Sequence, residues 1–343
     1  MKKFIWLLVC FAMLLFCATG WAKKEGELKA LENPGFIEKP DWFKSSFLDL
    51  RDDIAEAADE GRRLLFYFYQ DGCPYCKKLI TINFTQKAII DKTRQNFDVV
   101  AINMWGDREV TDYEGNVIKE KDFAAKHRVM FTPTLVFFNE KGEVALRLNG
   151  YFPPEKLMVA LDYVSGKNEN KMRFRDYLKE VNPVASFGKL HEKPYMSRST
   201  DALVNRNKDY LAVFVEQKEC PACDELHTDV LVRPETMKQI SKFDVVQIDM
   251  WSKNKIKSFD GTLQNIGQWT KSLDIKYAPT IVLFDKHGKE VIRMEAYLKS
   301  FHVQSVLDYV SSGAYKKEPS FQRYIDERAE AIRSKGIEVN LMD

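Results

Sequence analysis

The sequence predicts an α/β protein of two tandem domains, each a central mixed β-sheet flanked by helices. Three observations predict it. The run Phe97-Asp98-Val99-Val100-Ala101-Ile102-Asn103-Met104-Trp105 returns 146 residues later as Phe243-Asp244-Val245-Val246-Gln247-Ile248-Asp249-Met250-Trp251. Each repeat carries one Cys-Pro-X-Cys tetrad, Cys73-Pro74-Tyr75-Cys76 and Cys220-Pro221-Ala222-Cys223, and one X-Pro-Thr, Thr132-Pro133-Thr134 and Ala278-Pro279-Thr280. Each also shows the pattern order β-α-β-α-β-β-α, which builds a mixed sheet with helices on both faces.

The elements follow in order. Leu64 to Tyr69 and Leu211 to Val215 are short apolar runs rich in aromatic and β-branched residues, the signature of buried strands. Each leads into its tetrad and a helix. Val99 to Asn103 and Val245 to Asp249 are second strands; Lys121 to Arg128 and Asn265 to Asp274 read as helices. Thr134 to Phe138 and Thr280 to Phe284 are third strands. They turn through Asn139-Glu140-Lys141-Gly142 and Asp285-Lys286-His287-Gly288, with glycine last, into Val144 to Leu148 and Val291 to Met294. Pro154 to Ser165 and Ser300 to Ser311 are closing amphipathic helices, and Phe43 to Glu60 adds a leading helix to the first copy. The prolines, turn glycines and closing helices keep the 146-residue offset, whereas the cysteines lie 147 apart, so one residue is missing between tetrad and strand in the second copy. A period this long marks a duplicated domain. The expected domains are 41–182 and 201–334, joined by a Pro-, Gly- and Ser-bearing linker over 183–200.

Bulk properties narrow the class. Lys2 and Lys3 precede an apolar stretch from Phe4 to Phe16, and small residues end at Ala22, so residues 1–22 read as a secretory signal peptide. An uncleaved anchor is the alternative, since the stretch approaches the length of a bilayer span. A lipidated Cys17 fits less well, because bulky Phe16 precedes it. The remaining chain, about 320 residues, suits two domains. A net charge of +2 with interspersed signs gives no footprint for nucleic acid. The tail shows no ER-retention signal. Together with an export signal this favours a bacterial periplasm, where disulfide chemistry persists.

Of six cysteines, Cys10 and Cys17 fall in the leader and the other four form the tetrads. Two thiols within one helical turn can form a disulfide and release it. A cysteine at a helix N-terminus meets unpaired N–H groups and the positive end of the helix dipole, which favour the thiolate that attacks disulfides. Cys73 and Cys220 take that position. Cys76 and Cys223 lie deeper and can resolve a mixed disulfide. Pro74 and Pro221 suit the first helical position, where no amide hydrogen is wanted. Lys77 and Lys78 follow the first tetrad, while Glu219, Asp224 and Glu225 surround the second. Cations favour a thiolate and carboxylates oppose it. Cys73 is thus expected to be the more acidic thiol and the first disulfide the stronger oxidant, with electrons passing from the second site to the first.

The tetrad after the first strand and the X-Pro-Thr before the third resemble the thioredoxin superfamily. In the first copy, Asp71-Gly72-Cys73-Pro74-Tyr75-Cys76, Trp105-Gly106-Asp107-Arg108-Glu109-Val110-Thr111-Asp112 and Phe131-Thr132-Pro133-Thr134 resemble SoxW-like periplasmic thioredoxins. The aromatic ends Phe174 to Tyr177 and Phe321 to Tyr324 fit that branch too. The resemblance implies a periplasmic thiol–disulfide oxidoreductase acting on thiol or disulfide proteins, supplied with electrons by a thiol-reducing membrane partner, and needing no cofactor. It also implies cis bonds before Pro133 and Pro279, so that Thr132 and Ala278 present backbone to an incoming peptide in strand fashion. Two departures stand out. The family's buried acid, six residues before the first cysteine, is replaced by Tyr67 and Phe214. The second copy lacks the Trp-Gly-Asp-Arg run and has Ser252-Lys253-Asn254-Lys255 after Trp251.

Other readings compete. Paired Cys-X-X-Cys is also a zinc spacing, but here each pair belongs to its own complete domain. Inert structural bridges in a binding module, or an oxidase or isomerase, use the same cysteines. His227, one turn after Cys223, is more simply a surface side chain than a functional one. His127, His191, His287 and His302 form no cluster in sequence. Trp105 and Trp251 end strands near the expected active edge and suit either substrate contact or packing. The charged segment Ile118 to Lys126 reads as a solvated helix face.

Overall fold

The computed structural model describes residues 35–181, 188–295, 299–337 and 339. The expected signal peptide and residues 183–187 of the expected linker lie outside the described residues.

In the first repeat the elements are α1 (Leu50–Asp59), β1 (Arg63–Tyr69), α2 (Pro74–Lys78), α3 (Lys87–Asn96), β2 (Phe97–Asn103), β3 (Glu109–Thr111), β4 (Val117–Lys119), α4 (Glu120–Lys126), β5 (Thr134–Phe138), β6 (Val144–Asn149), α5 (Pro154–Ser165) and α6 (Phe174–Val181). The second continues with β7 (Met196–Ser197), β8 (Tyr210–Glu216), α7 (Pro221–Thr228), α8 (Pro234–Ile240), β9 (Phe243–Asp249), β10 (Lys255–Lys257), β11 (Leu263–Asn265), α9 (Ile266–Ser272), β12 (Thr280–Phe284), β13 (Glu290–Met294), α10 (Ser300–Ser311) and α11 (Phe321–Arg333).

Both main sheets are mixed. The first runs β2-β1-β5-β6 and the second β13-β12-β8-β9-β7. In each, the tetrad strand pairs in parallel with the second strand and antiparallel with the third. Both faces are covered, so the interiors of the central strands are apolar rather than alternating, with polar residues only at their ends. From Leu64 to Phe68 no side chain is more than 1% exposed. Each such burial stabilises by roughly 1.5–3 kcal/mol. Tyr67 and Leu65 face α5 and the tetrad helix, while Phe66 and Phe68 face α1 and α4.

The structure refines the expected elements. The leading helix starts only at Leu50, because the Asp49 carboxylate accepts the Arg51 N–H at 3.0 Å and caps it there. After α2 the chain continues as one π-helical turn, Leu79–Asn83, then breaks before α3. Short hairpins β3–β4 and β10–β11, which have no strong apolar period, precede α4 and α9. Part of the expected linker is structural: Met196–Ser197 adds an edge strand beside β9. The segment Ile118 to Lys126 is not wholly solvated. Glu120 is 1% exposed, accepts the Asn103 N–H at 3.0 Å and pairs with Arg108 at 2.6 Å.

Both repeats fall within one compact unit, and they touch. Phe131, which belongs to the first repeat, lies in the apolar cluster of the second; Tyr277 of the second lies in the cluster of the first. Phe321 has no exposed surface and packs its ring 5.3 Å from that of Phe131. Phe321→Ala should therefore destabilise the second repeat by about 3–5 kcal/mol, read as a lower urea midpoint in its unfolding transition.

Candidate active site

The first dithiol is placed by a strand end and a helix cap. After β1 the chain turns through Gly72 at φ 77°, a backbone region that a side chain would strain. Cys73 then caps α2: its Sγ accepts the Cys76 N–H at 3.0 Å, and Pro74 opens the helix. Cys73 and Cys76 are disulfide-bonded with Cα atoms 5.2 Å apart, and Cys76 is fully buried. The Thr132–Pro133 bond is cis. The Thr132 hydroxyl donates to Cys73 Sγ at 3.3 Å, and its carbonyl oxygen lies 3.5 Å from the same sulfur. Thr134 explains the third residue of the motif, since its hydroxyl donates to the Phe131 carbonyl at 2.7 Å and ties the loop back on itself. Tyr67, at the family's acid position, is 1% exposed, and burial pushes its hydroxyl far up. Beside it, Tyr69 carries the Lys39 ammonium 3.6 Å over its ring. Burial pushes Lys39 down, against the pull of Asp71.

The second dithiol repeats the frame with different surroundings. Cys220 Sγ accepts the Cys223 N–H at 3.0 Å, and the disulfide-bonded pair has Cα atoms 5.1 Å apart. Ala278–Pro279 is cis, and the Thr280 hydroxyl donates to the Tyr277 carbonyl at 2.7 Å. Here, however, the histidines are not where the sequence put them. His227 is fully buried rather than on the surface, and its Nε2 lies 2.7 Å from Glu216 Oε1. Nor does His191 stand apart: its ring stacks on His227 at 4.6 Å and 11°, and its Nε2 lies 2.7 Å from Asp224 Oδ1. Glu225 pairs with Lys299 at 3.0 Å. Two of the carboxylates expected to oppose a thiolate at Cys220 thus already have cationic or imidazole partners, which weakens the charge argument for ordering the two sites.

Glu216 is the functional candidate that sequence reasoning missed. It ends an apolar strand, and its counterpart in the first repeat is Tyr69. The counterparts of His227 and Gln247 are Ile80 and Ala101. Three apolar or aromatic positions turning polar together, in one repeat only, was the available signal. Among the described residues no group of three or more His, Cys, Asp or Glu side chains is placed to hold a metal ion.

The repeats meet through like parts. The aromatic residue two before each cis-proline crosses to the other repeat: Phe131 to Phe321, and Tyr277 to Phe152 at 5.1 Å. Asn149 and Glu295, equivalent positions in the two copies, hydrogen-bond each other. The C-terminal helices also cross. From α11, Gln322 accepts from Gln70 Nε2 and donates to the Met130 carbonyl, each at 3.0 Å, while Arg323 lies 5.0 Å over Trp105. From α6, Arg175 donates to Thr270 Oγ1 at 3.2 Å and lies 5.2 Å over Trp251. Trp105 and Trp251 are therefore packing residues of this contact. At the first tetrad, Tyr75 meets the His302 ring at 5.2 Å, edge to face. Burial pushes Tyr75 up to about 12 and His302 down to about 4. Cys73 and Cys220 are each 3% exposed.

A strand that feeds a helix-capping dithiol, with a cis-proline loop beside it, defines a thioredoxin-type site, here built twice. The thioredoxin-like domain family matches residues 50–165 and 198–311, and the chain belongs to that family. No curated protein matches the chain. Among solved structures it is similar to a thioredoxin-fold protein from Helicobacter pylori, at 24% identity and TM-score 0.29, over 35% of this chain and 79% of that one. A thioredoxin from Thermus thermophilus shows 26% identity and TM-score 0.28, over 35% and 85%. The periplasmic thioredoxin SoxS from Paracoccus pantotrophus shows 22% identity and TM-score 0.22, over 31% and 99%. Family and paired cysteines together suggest a thiol–disulfide oxidoreductase. Among the described residues no helix is long and apolar enough to cross a membrane.

His302 makes the contact at Tyr75 pH-sensitive. Its folded pKa lies below the value of 6.5 for a free imidazole, so the unfolded or opened chain binds the extra proton and stability falls as pH drops from 6.5 towards 4. The expected loss is about 1 kcal/mol at pH 5.5. Comparing urea midpoints of the protein and His302→Phe at pH 7.5 and 5.5 checks it: the variant should lose less on acidification.

Proposed function

We propose that the chain is a periplasmic thiol–disulfide oxidoreductase with two dithiol sites, exchanging with protein partners and working as a reductase. The observation that carries this is the shared cap: in both repeats the first cysteine sulfur accepts the N–H of the second cysteine at 3.0 Å. That places the sulfur at the positive end of a helix, where a thiolate is favoured. Cys73 and Cys220 attack a substrate disulfide and one substrate sulfur leaves. Cys76 and Cys223 then attack the mixed disulfide and the other sulfur leaves. The pair ends oxidised and the substrate reduced by two electrons. Thr132 and Pro133, with Ala278 and Pro279, form the peptide-binding edge beside each pair. A membrane partner of the thiol-reducing kind restores the dithiols.

A second reading, structural bridges in a binding module, draws on the low exposure of Cys73 and Cys220. Activity separates the two. Reduction of insulin by the purified chain should persist in either single variant, Cys73→Ser or Cys220→Ser, and vanish in the double variant; no reduction by the parent chain sinks the enzyme reading. The interdomain cover adds a second expectation. His302→Ala removes the ring that meets Tyr75 at the first tetrad, so alkylation of reduced Cys73 should quicken several-fold relative to Cys220, read by mass spectrometry of the labelled peptides. The redox state of each pair in cells reports direction: mostly reduced means reductase, mostly oxidised means oxidase.

A further inference from the structure

The two repeats hold unlike groups beneath their dithiols. Under the second, Glu216 and His227 have no exposed surface. His227 lies four residues past Cys223 on α7, on the same helix face one turn away. The hydrogen bonds fix the protons. Gln247 Nε2 donates to the His191 carbonyl at 2.9 Å, so that amide atom is a nitrogen, and the same nitrogen donates to Glu216 Oε2 at 2.7 Å. Gln247 Oε1 accepts from Arg198 Nε at 2.8 Å, which agrees. Glu216 Oε2 is therefore an acceptor, and with Oε1 accepting at 2.7 Å the hydrogen of the imidazole sits on His227 Nε2. That leaves a lone pair on His227 Nδ1, which is buried and makes no hydrogen bond among the described residues. Polar groups near the pair include His191, stacked on the ring and held by Asp224, and Tyr195, whose hydroxyl burial and then Glu216 push up to about 12. Glu225 is engaged by Lys299 one position beyond Asp224. Under the first dithiol the equivalent positions are Tyr69, Ile80 and Ala101.

We propose that His227, held by Glu216, takes the proton of the Cys223 thiol when the second dithiol resolves a mixed disulfide, and that the first dithiol resolves without such a base. The proton passes from Cys223 Sγ to His227 Nδ1. The thiolate attacks Cys220 Sγ, the bond from Cys220 to the substrate sulfur breaks, and that sulfur leaves with the electron pair and takes a proton from water. Glu216 is a positioning residue that fixes the tautomer and supports the charged imidazole. This rests on the reading of Cys220 and Cys223 as an exchange site.

The test uses the full chain carrying Cys73→Ser and Cys76→Ser, with Cys10 and Cys17 also replaced by serine so that Cys220 and Cys223 are its only thiols, reduced and mixed with dithiobis(nitrobenzoate). Attack by Cys220 releases one coloured thiolate in a concentration-dependent phase; attack by Cys223 releases the second in a first-order phase. His227→Gln retains an amide donor for Glu216 but cannot accept the proton. It should slow the second phase by roughly 100-fold at neutral pH and make it climb about tenfold per pH unit from about pH 6 to 8, with the first phase unchanged. Glu216→Gln should give a smaller slowing with a displaced pH profile. A second phase of parental rate and pH profile in His227→Gln overturns the proposal, and so does equal slowing of both phases in the two variants. Absence of the first phase in the parent overturns the exchange reading of this pair, and this proposal with it.

Discussion

The structure turns on one hydrogen bond made twice. A helix begins with N–H groups that have no partner inside it, and at Cys73 and Cys220 a sulfur takes one of them at 3.0 Å. The bond sets the first cysteine outside the helix and carries the second into the core one turn later, where Cys76 and Cys223 are at most 2% exposed. Everything else supports that cap. The buried parallel strand delivers the chain to it, proline opens the helix behind it, and the X-Pro-Thr loop comes up beside it.

Duplication then adds a constraint that a single domain does not have. Each repeat presents an aromatic residue just before its cis-proline, and each repeat buries the ring of the other. The contact uses equivalent positions on both sides, as an isologous dimer interface does, but within one chain. Because the ring-bearing loops are also the loops beside the dithiols, the surface that would meet a partner and the surface that joins the repeats overlap. Tyr75 against His302 shows how close the overlap comes to the first tetrad.

The frame was legible because it is written locally. Leu64 to Phe68 and Leu211 to Val215 are apolar on both faces, and only a covered sheet accommodates them. The tetrads and the X-Pro-Thr runs sit at fixed places relative to those strands, so repeat offset and element order sufficed for the fold. The helix start at Leu50 was less legible, since the helical apolar spacing continues upstream through Phe47 and Phe43, past the cap at Asp49 that sets the start. Glu120 was misread because its Lys/Asp/Glu neighbours look solvated, whereas its carboxylate turns inward to the Asn103 N–H and Arg108.

The sequence by itself determined two thioredoxin-like domains and the four cysteines of their dithiols, because strand periodicity and the proline-marked helix start depend on residues next to one another. Only the tertiary structure decided what lies around those dithiols. Glu216, Gln247 and His227 come from three separate elements, and His191 from a fourth, so nothing in their spacing announces that they share one buried site. The same holds for Phe131 with Phe321 and Tyr277 with Phe152. These pairs are far apart in the chain, and they meet because apolar rings on two folded surfaces lose water by covering each other.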